Sequence, residues 1–186
     1  MLKELSSCVA GLLLAANVAA AGPIDQGTRK DFQVAKDIAA SVQRYSQFTI
    51  FDDISANVND GVVTLTGKVT MPFKRDDIMN RIADITGVRE VRDNITVLPV
   101  SRFDDELRYR IARSIYNNSN FWNYAIMANP PIHIVVEHGR VTLTGVVQSN
   151  VDRMIARSLA TQFGAFSVTN ELKTDAEMSD AVAKSE

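Results

Sequence analysis

Cysteine is nearly absent from this chain, since Cys8 is its single copy. Cys8 stands at the start of an apolar stretch over residues 5–18, which ends in the small residues 19–21. This pattern predicts a signal peptide over residues 1–21 that is cleaved before Gly22, with a retained apolar anchor helix as the alternative. Lipidation of Cys8 is disfavoured because no apolar region precedes it. We therefore expect an exported mature protein without disulfides or thiol chemistry.

Excess charge and catalytic signatures are missing as well. The formal net charge of −2 does not suggest general nucleic-acid binding. The sequence contains no Ser-His-Asp, H-E-x-x-H, P-loop or G-x-G-x-x-G pattern. Adjacent carboxylates occur at residues 52–53, interpreted as a solvated loop, and at 76–77, interpreted as a helix start. Neither pair suggests two carboxylates that face each other across a cleft, so we expect neither an enzyme nor a bound cofactor.

Histidine is scarce, with two copies in the whole chain. His138 precedes a hairpin glycine, and a turn role explains it because histidine tolerates positive φ. The alternation of its strand places His133 on the more solvated face, together with Glu137. Two such ligands make a poor zinc site, which usually has three or four protein ligands. We expect no bound metal.

The strongest pattern in the sequence is an internal repeat. Residues 59–69 (NDGVVTLTGKV) return as residues 137–147 (EHGRVTLTGVV) in the same register, and Gly87 returns as Gly164. The repeated positions are mostly apolar residues, glycine or threonine. This repeat is longer than the roughly 20–50 residues of a solenoid unit. It predicts a small domain used twice, with a scaffold rather than a pair of reactive residues preserved.

Each copy shows the pattern of an α-β-β-α-β unit of the α+β class. Alternating apolar residues flank Asp60-Gly61 and His138-Gly139, which predicts two hairpins with type I′ turns. Apolar residues at helical spacing precede and follow each hairpin, so two helices should cover one face of a three-stranded mixed sheet. In the second copy, the predicted buried stripe of the later helix is Val151, Met154, Ile155 and Leu159. We place the units at residues 29–98 and 102–174, followed by a disordered acidic tail over 175–186.

The order helix, strand, D-G-x-V-x-L-x-G hairpin, helix and G-V-x-x-V strand resembles the BON domain. Residues 60–67 and 87–91 carry these motifs in the first copy, and residues 139–145 and 164–172 carry them in the second. The chain is similar to the osmotically induced periplasmic proteins of Gram-negative bacteria. The resemblance implies a periplasmic, non-enzymatic module of envelope maintenance or osmotic stress, and in several members an association with phospholipid.

An inserted segment over residues 116–131 distinguishes the second copy from the first. It gathers the single tryptophan with other large apolar side chains, and arginines lie on the preceding helix. One interpretation is a lid over the core of the second unit. The other is a surface patch at a bilayer interface, where Trp and Tyr are favoured and arginines can meet lipid phosphates. The lipid-binding candidates are Phe121, Trp122, Tyr124, Met127, Arg110 and Arg113.

The sequence therefore leaves two alternative functions. The first is a module that binds anionic phospholipid surfaces through the second unit. The second is a periplasmic protein-interaction or chaperone-like module, because Val135 and Val146 lie on the nominally solvated face of an open sheet and an edge strand can pair with a partner. Arg108, Arg153 and Arg157 are further basic candidates. For these arginines and for Arg110 and Arg113 the alternative is a solvated helix face, with Glu106 and Arg110 as an i,i+4 pair.

Overall fold

The computed structural model describes residues 26–183, so the predicted signal peptide lies outside the described residues. Two units follow each other along the chain, each with helices packed on a mixed sheet, and the predicted α+β class is confirmed. Among the described residues, no helix combines the length and apolar character needed to cross a bilayer.

Unit one contains a three-stranded sheet in the order β1-β2-β3, in which β1 runs antiparallel and β3 parallel to β2. Its core side chains alternate along the strands, as in Ile54 and Ala56, because successive side chains point to opposite faces. The helices cover this face with Ile38, Ile78 and Ile82, which are fully buried. The elements are α1 (Gln26–Gln43), β1 (Asp53–Asn59), β2 (Val62–Val69), α2 (Pro72–Ala83) and β3 (Glu90–Val97).

Unit two repeats this order with an interrupted third strand. The sequence pattern predicts one strand over residues 165–172, but only Ser167–Asn170 pair as a strand there. Leu172 turns into the core, where it is 1% exposed, and a two-residue strand follows at Lys173–Thr174. Short 3₁₀ turns at Ser119–Phe121 and Thr161–Phe163 precede α4 and follow α5. The elements are α3 (Arg102–Tyr116), α4 (Trp122–Ala125), β4 (Ile132–Glu137), β5 (Arg140–Val147), α5 (Asn150–Ala160), β6 (Ser167–Asn170), β7 (Lys173–Thr174) and α6 (Asp175–Ala183).

Both hairpin turns have the predicted type I′ conformation. The φ angles are 49° at Asp60 and 74° at Gly61, and 50° and 72° at His138 and Gly139. A type I′ turn needs positive φ at both central positions, which Asp, His and Gly tolerate better than other residues do. The turn role predicted for His138 is confirmed.

In each unit, a carboxylate of the first helix accepts hydrogen bonds from the turn of the hairpin. Asp31 of α1 accepts hydrogen bonds from the backbone N–H groups of Asp60 and Gly61 at 2.6 and 2.9 Å. Asp104 of α3 accepts them from His138 and Gly139 at 2.9 and 2.7 Å. The same pair of bonds therefore attaches the first helix to the hairpin in both units.

The packing of α5 confirms one half of the predicted stripe, since Ile155 and Leu159 pack against the core. Val151 and Met154 are instead 62% and 71% exposed, whereas Ala156 and Ala160 are buried. Ser149 caps the start of this helix, since its side chain accepts from Asp152 N at 3.2 Å. Two alanines four residues apart share one helix face, and their small side chains allow close approach to the core. The larger apolar residues Val151 and Met154 therefore point outward.

Residues 175–183 form helix α6, so the prediction of a disordered tail is wrong for this part of it. The physical cause is a capping box. Thr174 Oγ1 accepts from Glu177 N at 3.3 Å, and the Glu177 carboxylate accepts from Thr174 N at 2.8 Å. Arg153 of α5 adds an ion pair to Glu177 at 3.0 Å, which attaches α6 to unit two.

The loop of unit one between α1 and β1 packs on unit two. Ile50 O accepts from Ile134 N at 2.7 Å, so the loop occupies part of the free edge of β4. The ring of Phe51 meets that of Tyr109 on α3 edge to face, with centroids 5.2 Å apart. Thr144 Oγ1 donates to Asp53 at 2.9 Å, and Lys68 pairs with Glu137. The two units are thus joined by non-covalent contacts as well as by the linker.

Candidate interaction site

The inserted segment divides into a buried and an exposed part. Phe121 is fully buried and Tyr124 is 5% exposed, with their rings stacked at a centroid distance of 6.0 Å. Tyr124 Oη accepts from Gln148 N at 2.9 Å, just before α5 begins. Phe121 and Tyr124 are therefore parts of the core, and their placement at a lipid-contacting surface is wrong. They fit the lid interpretation because their apolar bodies close the end of the core.

Other side chains of the same segment point to solvent. Trp122 is 65% exposed and Ile126 is 69% exposed, while Met127 packs in part against the core. The bond from Gln148 N to Tyr124 places α4 beside the start of α5, the helix that exposes Val151 and Met154. Two large apolar side chains held outward by a buried anchor form the exposed element of this candidate site.

The arginines of α3 differ in whether their guanidinium groups are free to bind a ligand. Arg108 is 4% exposed and donates to Val136 O at 2.6 Å and to Asp105, so the expectation that it meets lipid phosphates is wrong. Arg110 pairs with Glu106 four residues earlier, as in the alternative of a solvated helix face. Arg113 is exposed, and within residues 26–183 it makes no ion pair.

On α5 the two arginines also differ. Arg153 is held by Glu177 and by Leu172 O, and is not free to meet a ligand without breaking those bonds. Arg157 is exposed and has no ion-pair partner in the described part of the chain. Of the basic candidates, Arg113 and Arg157 therefore offer an unpaired guanidinium.

His133 lies at the contact between the units and not on a solvated face. It is 5% exposed, its Nδ1 is 2.7 Å from Asp52 O, and its ring lies 5.3 Å from that of Phe48. Burial lowers the pKa of His133 below its ordinary value, against the opposing effect of the Asp53 carboxylate. The ring is therefore neutral and donates from Nδ1 to Asp52 O. Glu137, the other residue of the candidate metal pair, forms an ion pair with Lys68. No group of three or more metal-binding side chains occurs among the residues that the structure describes.

Asp52 is fully buried, so its interpretation as part of a solvated loop is wrong. Its carboxylate accepts from Lys74 Nζ at 2.7 Å and from the backbone and hydroxyl groups of Thr49 and Thr70 at 2.7–2.8 Å. Burial alone would raise the pKa of Asp52, but these hydrogen bonds hold it below its ordinary value. The carboxylate holds the loop in which Asp52 O contacts the ring of His133. Because the carboxylate is fully buried, a substrate cannot reach it.

The loop of unit one that contacts β4 also removes the free sheet face on which the protein-interaction interpretation rests. Val135 is 5% exposed, although sequence alternation places it on the solvated face. All of β4 up to Val136 is buried, because α3 and the core cover one face and unit one approaches from the other side. An open edge at β4 is therefore not available to a partner while the units are in contact.

Sequence reasoning missed an aromatic pair at the hairpin end of unit two. The rings of Phe103 and Phe166 stack at a centroid distance of 6.2 Å beside Gly139, and they are 51% and 77% exposed. An alignment of the two repeats shows this difference between the units, because Lys30 and Arg89 hold the equivalent positions in unit one. A comparison of repeats for what differs, rather than for what is shared, would have found it.

Comparison with known proteins identifies the family. The family model described as the BON domain matches residues 30–99 and again residues 104–176. No curated protein matches the chain. Among solved structures, two are of CdsD, a structural protein of the type III secretion system of Chlamydia trachomatis. The C-terminal domain of CdsD has 17% identity over 80% of this chain and 68% of that one, with a TM-score of 0.33.

The second CdsD structure has 14% identity over 81% of this chain and 97% of that one, with a TM-score of 0.27. Likenesses at this level support no argument about function. The family matches cover most of the chain and fall on both units. The chain belongs to the BON-domain family and contains two BON domains in tandem.

Proposed function

We propose that this protein is a non-enzymatic module of the cell envelope that binds anionic phospholipid surfaces through unit two. The BON family suggests an envelope-associated module without catalytic function. The observation that carries the lipid part is the division of the inserted segment. Phe121 and Tyr124 anchor it in the core, and Trp122 and Ile126 are held outward.

This arrangement suits an interface between water and hydrocarbon. Trp is favoured there because it has an apolar body and a polar N–H. A rigid anchor lowers the entropy lost on binding, since the exposed side chains are already positioned. Val151 and Met154 extend the exposed apolar surface from α5. Arg113 and Arg157 supply the charges that attract lipid phosphates.

The alternative, a periplasmic protein-interaction or chaperone-like module, had the open sheet as its support. Unit one now covers the edge and face of β4 that this interpretation used. The lipid proposal therefore has the stronger support. A role in envelope maintenance or osmotic stress, which the family resemblance implies, belongs to the same proposal.

Replacing Trp122 by alanine should weaken binding to anionic vesicles about tenfold. A buried apolar side chain contributes roughly 1.5–3 kcal/mol, and partial insertion gives the lower part of that range. The measurement is co-sedimentation with vesicles that contain phosphatidylglycerol, after circular dichroism has shown that the variant is folded. Neutralising Arg113 and Arg157 to glutamine should weaken binding mainly at low salt, because exposed charges are screened over about 8–10 Å at physiological ionic strength.

The matched control is Phe166→Ala, which removes another exposed aromatic ring, at the opposite end of unit two. The helix α3 connects the two ends, since Asp104 contacts the hairpin turn and Tyr116 Oη donates to Ile132 O at 2.6 Å. Phe166→Ala should bind vesicles like the wild type. A folded Trp122→Ala protein with wild-type binding would leave the segment as a core lid alone. No vesicle binding by the wild type would favour the protein-interaction alternative.

We also propose that the leader directs export to the periplasm and is removed before Gly22. The apolar stretch that ends at residues 19–21 supports this. Intact-mass measurement of the exported protein should give a chain that starts at Gly22. A mass for a chain that retains residues 1–21, or for one acylated at Cys8, would contradict the proposal.

A further inference from the structure

The two units also differ at the equivalent ends of their hairpins. In unit one, Arg89 folds over the turn and donates to Asp60 O, and Lys30 lies exposed nearby in the chain's first helix. In unit two, Phe166 and Phe103 occupy the same two positions. The backbone is unchanged, since Arg89 N donates to Gly61 O and Phe166 N to Gly139 O, both at 2.8 Å. The scaffold therefore accepts a basic pair or an aromatic pair here, and unit two has the aromatic one.

Packing within unit two does not explain the aromatic pair. Phe166 lies flat beside Gly139, where an added Cβ would be 2.7 Å from its Cδ2 atom, yet 77% of the residue is exposed. Phe103 is half exposed at the start of α3. Contiguous exposed aromatic surface on a soluble domain marks an interaction site more often than a scattered single residue does.

An exposed cation adjoins the pair on a chain that is acidic overall. Arg102, next to Phe103 at the start of α3, is exposed and makes no ion pair with another described residue. The neighbouring carboxylates are engaged, because Asp104 binds the turn and Asp105 pairs with Arg108. Arg140 is exposed too, but it lies across from Ser167 and so points to the sheet face opposite Phe166. The surface thus offers two aromatic rings and one free guanidinium group.

We propose that Phe103, Phe166 and Arg102 form a docking surface for an acidic segment of a partner protein, with an apolar side chain on the rings and a carboxylate on the arginine. Aromatic residues and arginine are the types enriched at protein interfaces. Guanidinium groups bind carboxylates through paired hydrogen bonds. The surface lies about 22 Å from the Trp122 end, the length of the fifteen-residue helix α3. A module bound to lipid at that end would therefore still present this surface to solution.

The test uses short fluorescein-labelled peptides and the mature protein. One peptide has a Leu-Trp pair between glutamates, and the control peptide has lysines in place of the glutamates. Fluorescence anisotropy should show binding of the acidic peptide alone. The key variant is Phe103→Lys/Phe166→Arg, which installs the residues that unit one has at these positions and should therefore fold.

This variant should bind the acidic peptide about tenfold more weakly, as expected for loss of an apolar anchor. The loss would occur although the variant has two additional positive charges, which separates the aromatic contribution from charge attraction. Arg102→Gln should weaken binding chiefly at low salt. The reciprocal variant Lys30→Phe/Arg89→Phe should create a second peptide site on unit one.

Three results would overturn the proposal. One is equal or tighter peptide binding by Phe103→Lys/Phe166→Arg, which would indicate charge attraction alone. Another is the absence of acidic-peptide binding by the wild type. The third is loss of phosphatidylglycerol vesicle binding in the same variant, which would make this end a lipid surface. Failure of the Trp122 experiment alone would leave the peptide results intact, so the two proposals fail separately. If the double variant does not fold, Phe166→Ala takes its place.

Discussion

Replacing Asp104 by alanine should lower the free energy of unfolding of unit two by about 3–4 kcal/mol. The carboxylate is 1% exposed and accepts from the backbone of both central residues of the turn. Hydrogen bonds to a charged group contribute about 1.5–3 kcal/mol, and the N–H of the buried Gly139 would be left without a partner. Urea denaturation followed by fluorescence measures this effect, because the single tryptophan belongs to unit two.

Asp31→Ala is the matched control for this prediction. Asp31 makes the same two bonds to its own turn, but it is only partly buried and one of the bonds is exposed. Water can replace the lost partner there, so we expect a loss of about 1 kcal/mol. Asp104→Asn should fall between the two because its amide oxygen can still accept. Equal losses for Asp31→Ala and Asp104→Ala would show that burial does not set the size of the effect.

Lys74→Met should destabilise unit one by about 3–5 kcal/mol, because it leaves the Asp52 carboxylate buried without its cation. The pair has an Nζ–Oδ2 distance of 2.7 Å and side-chain exposures of 6% and 0%. Methionine keeps the apolar stem, so the change removes charge more than volume. The double variant Asp52→Asn/Lys74→Met should lose less than the sum of its two single changes, since the uncompensated charge is gone.

The pH dependence gives an independent measure of the same pair. The folded pKa of Asp52 is below its ordinary value of 3.8, so its stabilising contribution is complete above about pH 4 and is lost as pH falls through the folded pKa. Without Lys74, burial raises the pKa of Asp52 relative to that in the wild type. Lys74→Met should therefore lose less stability than the wild type between about pH 5 and pH 3. Parallel pH profiles of unfolding free energy in the two proteins would contradict this account.

The turns and the fold were predictable because their signals are local or periodic. Asp60-Gly61 specifies positive φ within two residues, and alternation places Ile54 and Ala56 on the core face without knowledge of any partner. The start of α6 was also available, since Thr174-x-x-Glu177 is a capping-box pattern in the sequence. The acidic composition of the tail points the other way, to disorder.

The errors share a different origin, which is contact between parts that are distant in sequence. Arg108 looks like a surface residue on an amphipathic helix, but Val136 O, 28 residues away, accepts a hydrogen bond from it. Asp52 looks like solvated loop until Lys74 and Thr70 arrive from beyond the hairpin. In the candidate site, the exposure of Trp122 and the burial of Phe121 follow from which side of one short turn faces the core. Composition predicted the inserted segment as a whole, but it could not show which of its side chains are buried and which are exposed.

The contact of Ile50 with Ile134 bears on how the duplication can be divided. The gene repeats end at the linker, but the loop of unit one supplies a backbone partner to β4 and covers Val135 and His133 from outside. Unit two cut out at residue 102 would expose this edge and these side chains to water, as would any other fragment without residues 48–53. The boundaries of the sequence repeat and the boundaries of the contacts that cover β4 thus do not coincide, because the second copy takes a backbone partner from the first.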